Sequence, residues 1–368
     1  MEAILPSLIC ILQEHFQWNL SRTKCIAAFI IALIKVRTVN LVQLATALPG
    51  NAQKDSKYRR IQRLFKEFDF DNVNIASFIA SRIASHKYVL AIDRTNWQLG
   101  STHINILFLA IIHNGTAFPI LWTTLKQSKK KGNSDTSERI QLIELFIKIF
   151  GIEKIDYIVG DREFIGTDWI KYLVDNKINF RFRIKSNTLI SCAHGGNSSA
   201  RNFARQLRCK EAMQLKGMRK VFGINLYVTA MRLSNKEYLI IVSNDQAPCE
   251  QILNDYKKRW GIECLFKALK SQGFDFETTH LVDRDKIDKL IALLAIAFLW
   301  ARLAGEWLHE QKAIEVKKHG RKAISIFRYG LDYLREFLLN INEKLSQLSI
   351  VLSFIQRNVN QFKSNLNC

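Results

Sequence analysis

Tyr88-Val89-Leu90-Ala91-Ile92-Asp93 is an apolar run that ends on an acid, and it predicts a strand buried on both faces. Two further apolar runs follow, at residues 104–112 and 116–121, separated by the turn His113-Asn114-Gly115. We expect three strands that meander in one sheet. Because proline cannot donate to a strand ladder, Pro119 predicts that the third strand lies at a sheet edge or carries a bulge.

Downstream, helical and extended patterns alternate. Residues 138–150 and 167–175 predict helices, and residues 157–161 and 180–184 predict strands. Three strands followed by helix, strand, helix and strand is the order of a ribonuclease-H-like α/β core. We therefore predict an α/β fold with this core as its catalytic part.

The flanking segments suggest the remaining organisation. Residues 1–85 predict a helical N-terminal DNA-binding region, and residues 286–368 a helical C-terminal region, to which the family resemblance described below assigns dimerisation. The core would comprise residues 86–185 and 250–285. Between them, residues 186–249 have short apolar runs and a predominance of basic residues, which predicts an inserted β-rich basic subdomain.

The overall charge favours a polyanionic partner. The 368 residues include 54 Lys and Arg against 33 Asp and Glu, a formal net charge of +21. Nucleic acid is the leading candidate and a membrane surface the lesser one. The longest apolar run, residues 290–300, is too short to cross a bilayer, and no basic n-region precedes an apolar segment at the N-terminus. We expect a cytoplasmic, nucleoid-associated protein.

Cysteine and histidine spacing gives no sign of a soft metal site. Seven scattered cysteines include no C-x-x-C pair, and the eight histidines include no H-x-x-x-H pair. This argues against a disulfide framework and a structural zinc site. Any metal ligands should be oxygens.

Clusters of basic residues mark candidate DNA contacts. The segment 54–66 predicts a basic helix, although a solvated helix face explains it equally well. Residues 180–220 contain ten bases and one acid, which predicts a phosphate-gripping surface. The candidate DNA-binding residues of these segments and of a C-terminal basic turn are Lys57, Arg59, Arg60, Arg63, Arg183, Lys185, Lys318, Arg321 and Lys322.

Two acids stand out within apolar strands. Asp93 ends the first run, and Asp161 closes Ile158-Val159-Gly160. An acid in a buried strand is costly unless it is paired or binds a metal. The alternative is a structural ion pair with Arg94 or with Arg162. Asp156 and Asp168 are weaker candidates for the second acid.

A third acid lies in residues 256–270. At about 100° per residue, Tyr256, Arg259, Glu263, Lys267 and Lys270 fall within roughly 80° on one helix face. The alternative is a solvated face with an ion pair of Glu263 and Lys267. If this helix face is functional, we expect Glu263 to join Asp93 and Asp161 as a metal ligand. The predicted phosphate contacts beside these acids are Arg162, Tyr256, Arg259 and Lys270.

Phosphodiester chemistry explains why such residues would be grouped. Two Mg²⁺ ions about 4 Å apart activate a water or hydroxyl and neutralise the charge that develops at phosphorus. Mg²⁺ prefers oxygen ligands and retains waters, so a few carboxylates suffice. Arginine binds phosphate oxygens with two parallel hydrogen bonds.

Three motifs in this order carry a family resemblance. They are Asp93-Arg94-Thr95, then Asp161-Arg162-Glu163-Phe164, then Tyr256-x2-Arg259-x3-Glu263-x6-Lys270. Together they resemble the motifs of the bacterial DDE transposases with the YREK signature, the insertion-sequence-four family. The resemblance covers residues 88–270, and the basic segments near Arg59 and Arg321 are similar to the family's flanks less specifically.

The resemblance implies a homodimeric cut-and-paste enzyme of an insertion sequence. It would bind the terminal inverted repeats of its element and target DNA, with Asp93, Asp161 and Glu263 holding two Mg²⁺ ions, for which Mn²⁺ would substitute. Cleavage would free a 3′-hydroxyl, which forms a hairpin that is reopened before strand transfer. Tyr256, Arg259 and Lys270 would hold the backbone near a flipped terminal nucleotide, with Arg183 and Lys185 nearby.

One departure concerns the flipped base. Such a base is received by an aromatic stack, yet no tryptophan occurs between Lys185 and Leu253. Phe203, Phe222 and Tyr227 are the possible substitutes. Two other functions stay open: a structure-selective Mg²⁺-dependent nuclease, and a non-catalytic DNA-binding regulator derived from a transposase.

Overall fold

The computed structural model describes residues 4–99, 101–125, 134–318 and 320–356. The chain divides into two compact units. One contains Met1–Ala84, Trp97–Thr102 and Phe266–Cys368, and the other contains Ser85–Asn96 and His103–Leu265. This division does not test the four domain boundaries expected from the sequence, which stay a prediction.

Helices dominate both ends of the chain. In chain order they are α1 Ile4–His15, α2 Leu20–Val36, α3 Leu41–Ala47, α4 Lys54–Glu67, α5 Asn72–Ala80, α6 Thr136–Phe150, α7 Thr167–Asp175, α8 Ala200–Phe203, α9 Cys249–Lys257, α10 Trp260–Leu269, α11 Arg284–Gln311, α12 Ile326–Leu339 and α13 Leu348–Ser353.

The strands lie between α5 and α9. They are β1 Tyr88–Leu99, β2 Thr102–His113, β3 Thr116–Thr124, β4 Ile155–Gly160, β5 Phe180–Ile184, β6 Leu189–Ser191, β7 Asn197–Ser199, β8 Ala212–Gln214, β9 Arg219–Val221, β10 Ile224–Arg232 and β11 Tyr238–Ser243. The bounds of α7 and β5 are those that the sequence predicts.

The core of the helical unit is formed by long apolar helices. Residues 290–300, the longest apolar run of the sequence, lie within α11 and are all buried. Asp283 caps α11 by accepting a hydrogen bond from the Lys286 backbone N–H. Among the described residues, no single helix is both long and apolar enough to cross a membrane. One pair, α2 with α3, meets those criteria only when counted together across a 103° bend.

The strands form a mixed sheet in the order β3-β2-β1-β4-β5-β11-β10-β9-β6-β7, with β8 paired to β10. Strand β4 runs parallel to both β1 and β5. Most other pairs, including β2 with β3 and β5 with β11, are antiparallel. This mixed α/β arrangement is consistent with the predicted ribonuclease-H-like core. Residues 186–249 hold β6 to β11, and β11 joins the sheet through β5.

Pro119 has both features predicted for its strand. Strand β3 is at the end of the strand order. Its register with β2 shifts between Leu109, opposite Leu121, and Ala110, opposite Pro119. The missing N–H of the proline is therefore accommodated at an edge strand with a bulge.

The prediction of one continuous helix over residues 256–270 is wrong. Tyr256 lies in the last turn of α9, Arg259 lies in the following turn, and α10 begins at Trp260. The Arg259 and Ile262 amides bond to carbonyls three residues back, each at 3.0 Å, which tightens the chain here. A Cβ on Gly261 would lie 3.2 Å from the backbone nitrogen of Ala117, so a side chain here would require the neighbouring backbone to shift by a few tenths of an ångström.

Candidate active site

Parallel pairing of β1 and β4 brings the first two acids together. Ile92 of β1 pairs with Gly160, the last residue of β4. Gly160 makes close packing possible, because a Cβ there would lie 3.0 Å from the Phe182 ring. Asp93, in the middle of β1, and Asp161, directly after β4, follow this pair and thus lie side by side.

The junction of α9 and α10 supplies the side chains that meet these acids. The Tyr256 hydroxyl donates to Asp161 Oδ1 at 3.3 Å. Arg259 Nη1 lies 3.4 Å from Asp93 Oδ2, and its Nη2 donates to Glu263 Oε1 at 2.5 Å. Tyr256 and Arg259 therefore link all three predicted acids.

Burial is the main cause of a shifted pKa at Asp93. The Asp93 side chain is 15% exposed. Burial raises the pKa of Asp93 to about 7; the nearby Glu163 and Asp161 charges act in the same direction, and the Arg94 N–H and the Arg259 charge oppose it. Asp93 therefore keeps its proton to a higher pH than an ordinary aspartate, and a nearby cation would favour its ionised form.

Tyr256 and Arg259 are also perturbed. Burial raises the pKa of Tyr256, which keeps its hydroxyl a hydrogen-bond donor. Burial alone would lower the pKa of Arg259, but the surrounding Tyr256, Glu263, Asp161 and Asp93 raise it overall. Arg259 is a permanent positive charge among the acids.

A second acid–base pair at the site was not predicted. Arg94 does not pair its guanidinium with Asp93. Its Nε lies 3.2 Å from Glu163 Oε1, and its Nη1 donates to Asn105 Oδ1 at 2.6 Å. Asp93 instead accepts the Arg94 backbone N–H at 2.8 Å. Glu163 stood within the quoted second motif, but its partner is 69 residues away, and spacing gives no signal for such a pair.

Each of the other predicted phosphate-binding residues has its own environment in the structure. Arg162 is exposed. Arg183 lies 3.7 Å from Glu237. Lys185 lines a cavity of about 560 Å³ that is also lined by Lys220 and Phe222. Lys270 belongs to the helical unit, where its Nζ lies 2.7 Å from Glu277. The weaker candidates Asp156 and Asp168 are both exposed.

The basic segment at residues 54–66 is the helix α4. Arg59, Gln62, Arg63 and Lys66 line a shallow depression of about 480 Å³ on its exposed side. Lys57 is half-buried, and its Nζ donates to the Leu48 carbonyl at 2.8 Å. Arg60 is exposed. The basic face is therefore formed mainly by residues one helical turn apart.

The C-terminal basic turn is a tight hairpin. Val316 and Lys322 form an isolated β-bridge, and Gly320 has a φ of +78°. Lys318 and Arg321 are exposed, and Lys322 Nζ lies 2.9 Å from His309 Nε2. His319, which the turn motif includes, lies outside the described residues.

The acids suit Mg²⁺ in chemistry but not in their present arrangement. Carboxylate oxygens are the ligands that Mg²⁺ prefers. Nevertheless, no three His, Cys, Asp or Glu side chains in the described part of the chain are placed to hold an ion. Arg259 contacts Asp93 and Glu263 instead, so metal binding requires Arg259 to release at least one of them.

Comparison with known families identifies the domain to which these residues belong. The family model of the transposase DDE domain matches residues 84–300, more than half of the chain. The chain belongs to the DDE transposase domain family. No curated protein matches it. The matched span of the DDE domain includes Asp93, Asp161 and Glu263, and it extends into α11.

Proposed function

We propose that this DDE-domain protein is the transposase of an insertion sequence of the insertion-sequence-four family, with the YREK signature. It would bind the terminal inverted repeats of its element and cut, form hairpins and join strands by metal-dependent chemistry. One observation carries the proposal: three acids far apart in the sequence are linked in one site by Tyr256 and Arg259.

Asp93, Asp161 and Glu263 would hold the metal. Bound Mg²⁺, or Mn²⁺ in its place, would activate the attacking oxygen and stabilise the negative charge that develops on the phosphate. The buried Asp93 is suited to this role, because a divalent cation would keep it ionised at neutral pH. Glu163 and Arg94 would hold the neighbouring backbone in place.

Arg259 would change partners when DNA binds. Its guanidinium has the planar fork that binds two phosphate oxygens, and it contacts carboxylates in the absence of DNA. A DNA phosphate would take over Arg259 and leave Asp93 and Glu263 to the metal. Tyr256, Arg162 and Lys270 would contribute further backbone contacts.

The reaction sequence would be cut and paste. Water attacks the phosphodiester at the transposon end and leaves a free 3′-hydroxyl there. This hydroxyl attacks the opposite strand and closes a hairpin, a second water reopens it, and the freed 3′-hydroxyl then attacks target DNA. Each step exchanges one P–O bond for another.

Phe222 is the best-supported candidate to stack on a flipped base. It borders the cavity that Lys185 and Lys220 also line, so an aromatic ring and two charges that suit a phosphate occur together. The Tyr227 hydroxyl instead lies 3.5 Å from Gln246. Phe203 lies in the short helix α8. Arg183 and Lys185 would hold the adjoining backbone.

The DNA-binding part of the proposal rests on charge, and the homodimer rests on the family resemblance. Arg59, Arg60 and Arg63 on α4 would contact the inverted repeat with Lys57 behind them, and Lys318, Arg321 and Lys322 would hold the backbone elsewhere. A homodimer, with the C-terminal helices as its interface, would join two element ends. We propose that the protein acts at the nucleoid.

Incubation with DNA tests the proposal. The full-length protein, Mg²⁺ and a duplex carrying the DNA that flanks its gene should give a nick at the element end. The flanking DNA should carry matched inverted repeats bounded by short direct duplications. Cleavage that follows DNA shape without regard to those ends would favour a structure-selective nuclease. Binding without cleavage would favour a regulator.

A further inference from the structure

A second charged cluster is buried next to the junction that carries Tyr256 and Arg259. The Asp255 side chain is 8% exposed and the Arg181 side chain 2%. Asp255 Oδ1 accepts a hydrogen bond from the Tyr157 hydroxyl at 2.8 Å. Asp255 Oδ2 lies 3.4 Å from Arg181 Nε, and among the described residues neither of these two atoms has a hydrogen-bond partner. Their attraction is therefore ionic.

Lys258 closes the cluster. Its Nζ donates to the Tyr157 hydroxyl at 2.6 Å and lies 3.3 Å from Asp255 Oδ1. The guanidinium of Arg181 and the ammonium of Lys258 both lie over the Tyr157 ring, at 5.1 and 5.2 Å from its centre. Arg181 is held in turn by Asp245.

Such a cluster is a poor way to gain stability. Burying charges costs several kcal/mol for each ion, and apolar replacements of similar volume are often equally stable. Apolar packing is already present beside it, because Ile252 and Tyr256 of α9 pack against Ile241 and Ala247. What charged contacts add is directional, since they fix one arrangement of the groups that they join.

The cluster joins the elements that carry the candidate active site. Tyr157 lies on β4, four residues before Asp161, and Arg181 on β5 is in register with Val159 of β4. Asp255 directly precedes Tyr256, and Lys258 directly precedes Arg259. Asp255 and Lys258 of this short segment thus contact the cluster. Tyr256 and Arg259, the residues next to them, contact the acids of the candidate active site.

We propose that Asp255 is a positioning residue, which sets the α9–α10 junction on β4 so that Tyr256 and Arg259 reach Asp161, Asp93 and Glu263. This inference rests on the proposed function. Asp255 touches no reacting group. It acts through its hold on Tyr157, Lys258 and Arg181.

Two matched variants of the full-length protein test this role. Asp255→Asn and Asp245→Asn each remove one carboxylate from Arg181, but only Asp255 adjoins the junction. Amide hydrogen exchange in metal- and DNA-free protein should be about tenfold faster at residues 258–262 in Asp255→Asn and unchanged there in Asp245→Asn. The hydrogen-exchange measurement needs no substrate, so it tests the role of Asp255 even if the proposed function is wrong.

Kinetics on the gene-flanking duplex with Mg²⁺ provide the second arm. Asp255→Asn should lower kcat by about 10- to 100-fold with KM for DNA within about twofold, because displaced groups reduce the rate of chemistry more than DNA binding. Tyr157→Phe should act in the same direction. Equal exchange in the two Asp variants, or a loss of activity that only follows their thermal midpoints, would overturn the proposal. If the wild-type protein does not cleave, the proposed function fails, and the exchange result alone decides the role of Asp255.

Discussion

At Arg259 one guanidinium contacts two of the acids that we propose as metal ligands. Arg259 Nη1 and Nη2 face Asp93 and Glu263, so under this proposal the arginine would compete with a cation for the same oxygens. Arg259→Gln should therefore bind Mn²⁺ more tightly, at about tenfold lower concentration in calorimetric titration, and yet cut DNA more slowly because a phosphate contact is lost. Lys267→Ala, an exposed change on α10, is the control. Unchanged Mn²⁺ affinity in Arg259→Gln would contradict this competition.

Asp93 makes stability depend on pH in a predictable direction. The pKa of Asp93 is about 7 in the folded protein against 3.8 for an ordinary aspartate. Between these values the native state holds a proton that the unfolded state has lost, so rising pH destabilises the metal-free fold by up to about 1.4 kcal/mol per pH unit.

Asp93→Asn should remove that dependence. In chelator-treated protein, the variant should gain stability over wild type as pH rises from 4 towards 7, measured by urea unfolding. The exposed Asp156→Asn serves as the control and should follow the wild-type curve. A constant difference between Asp93→Asn and wild type across this range would mean that Asp93 is not the titrating group.

Some of the site's residues could be predicted from the sequence and others could not. Asp93 and Asp161 were recognisable because an acid at the end of an apolar strand is unusual, and parallel pairing then makes them neighbours. The Arg94–Glu163 pair and the Asp255 cluster depend on partners 69 and 98 residues apart. Such partners follow from strand order, which spacing along the chain does not encode.

The break between α9 and α10 is the feature of secondary structure that helical periodicity did not predict. Residues 256–270 keep an apolar seam and a polar stripe, so their pattern fits a single helix. The chain tightens at Arg259 instead, and Gly261 approaches the β2–β3 turn. By contrast, α7 and β5 were predicted to the residue, because each is a short segment with glycine or polar residues at its boundaries.

Gly261→Ala tests this reading of the junction. In an ordinary helix the change would stabilise the protein by roughly 1 kcal/mol. Here a Cβ would lie 3.2 Å from the Ala117 nitrogen and the Thr116 carbonyl carbon, so we expect destabilisation of about 1–3 kcal/mol in denaturant unfolding. Lys267→Ala on the same helix should change stability little. A stabilised Gly261→Ala protein would show that the junction tolerates a side chain.

Across the whole molecule, the net charge of +21 predicts DNA binding that weakens steeply with salt. Arg59 and Arg63 line the same depression on α4. Replacing both with alanine should reduce the slope of log K against log salt by up to about 2, because each lost phosphate contact accounts for about 0.9. Fluorescence anisotropy measures this slope. Lys24→Ala on α2 is the single-charge control, and a double variant with the wild-type slope would exclude α4 as a phosphate-binding face.

Asp93, Asp161 and Glu263 form, in our proposal, one metal-dependent cleavage centre. The most direct measurement is cleavage of the gene-flanking duplex by wild type and by Glu263→Gln across a Mg²⁺ titration, with DNA binding measured in parallel. We predict a nick at the element end by wild type only, and equal DNA binding by both proteins. End-specific cleavage by Glu263→Gln at the wild-type rate, or cleavage by wild type in the presence of excess chelator, would contradict the account.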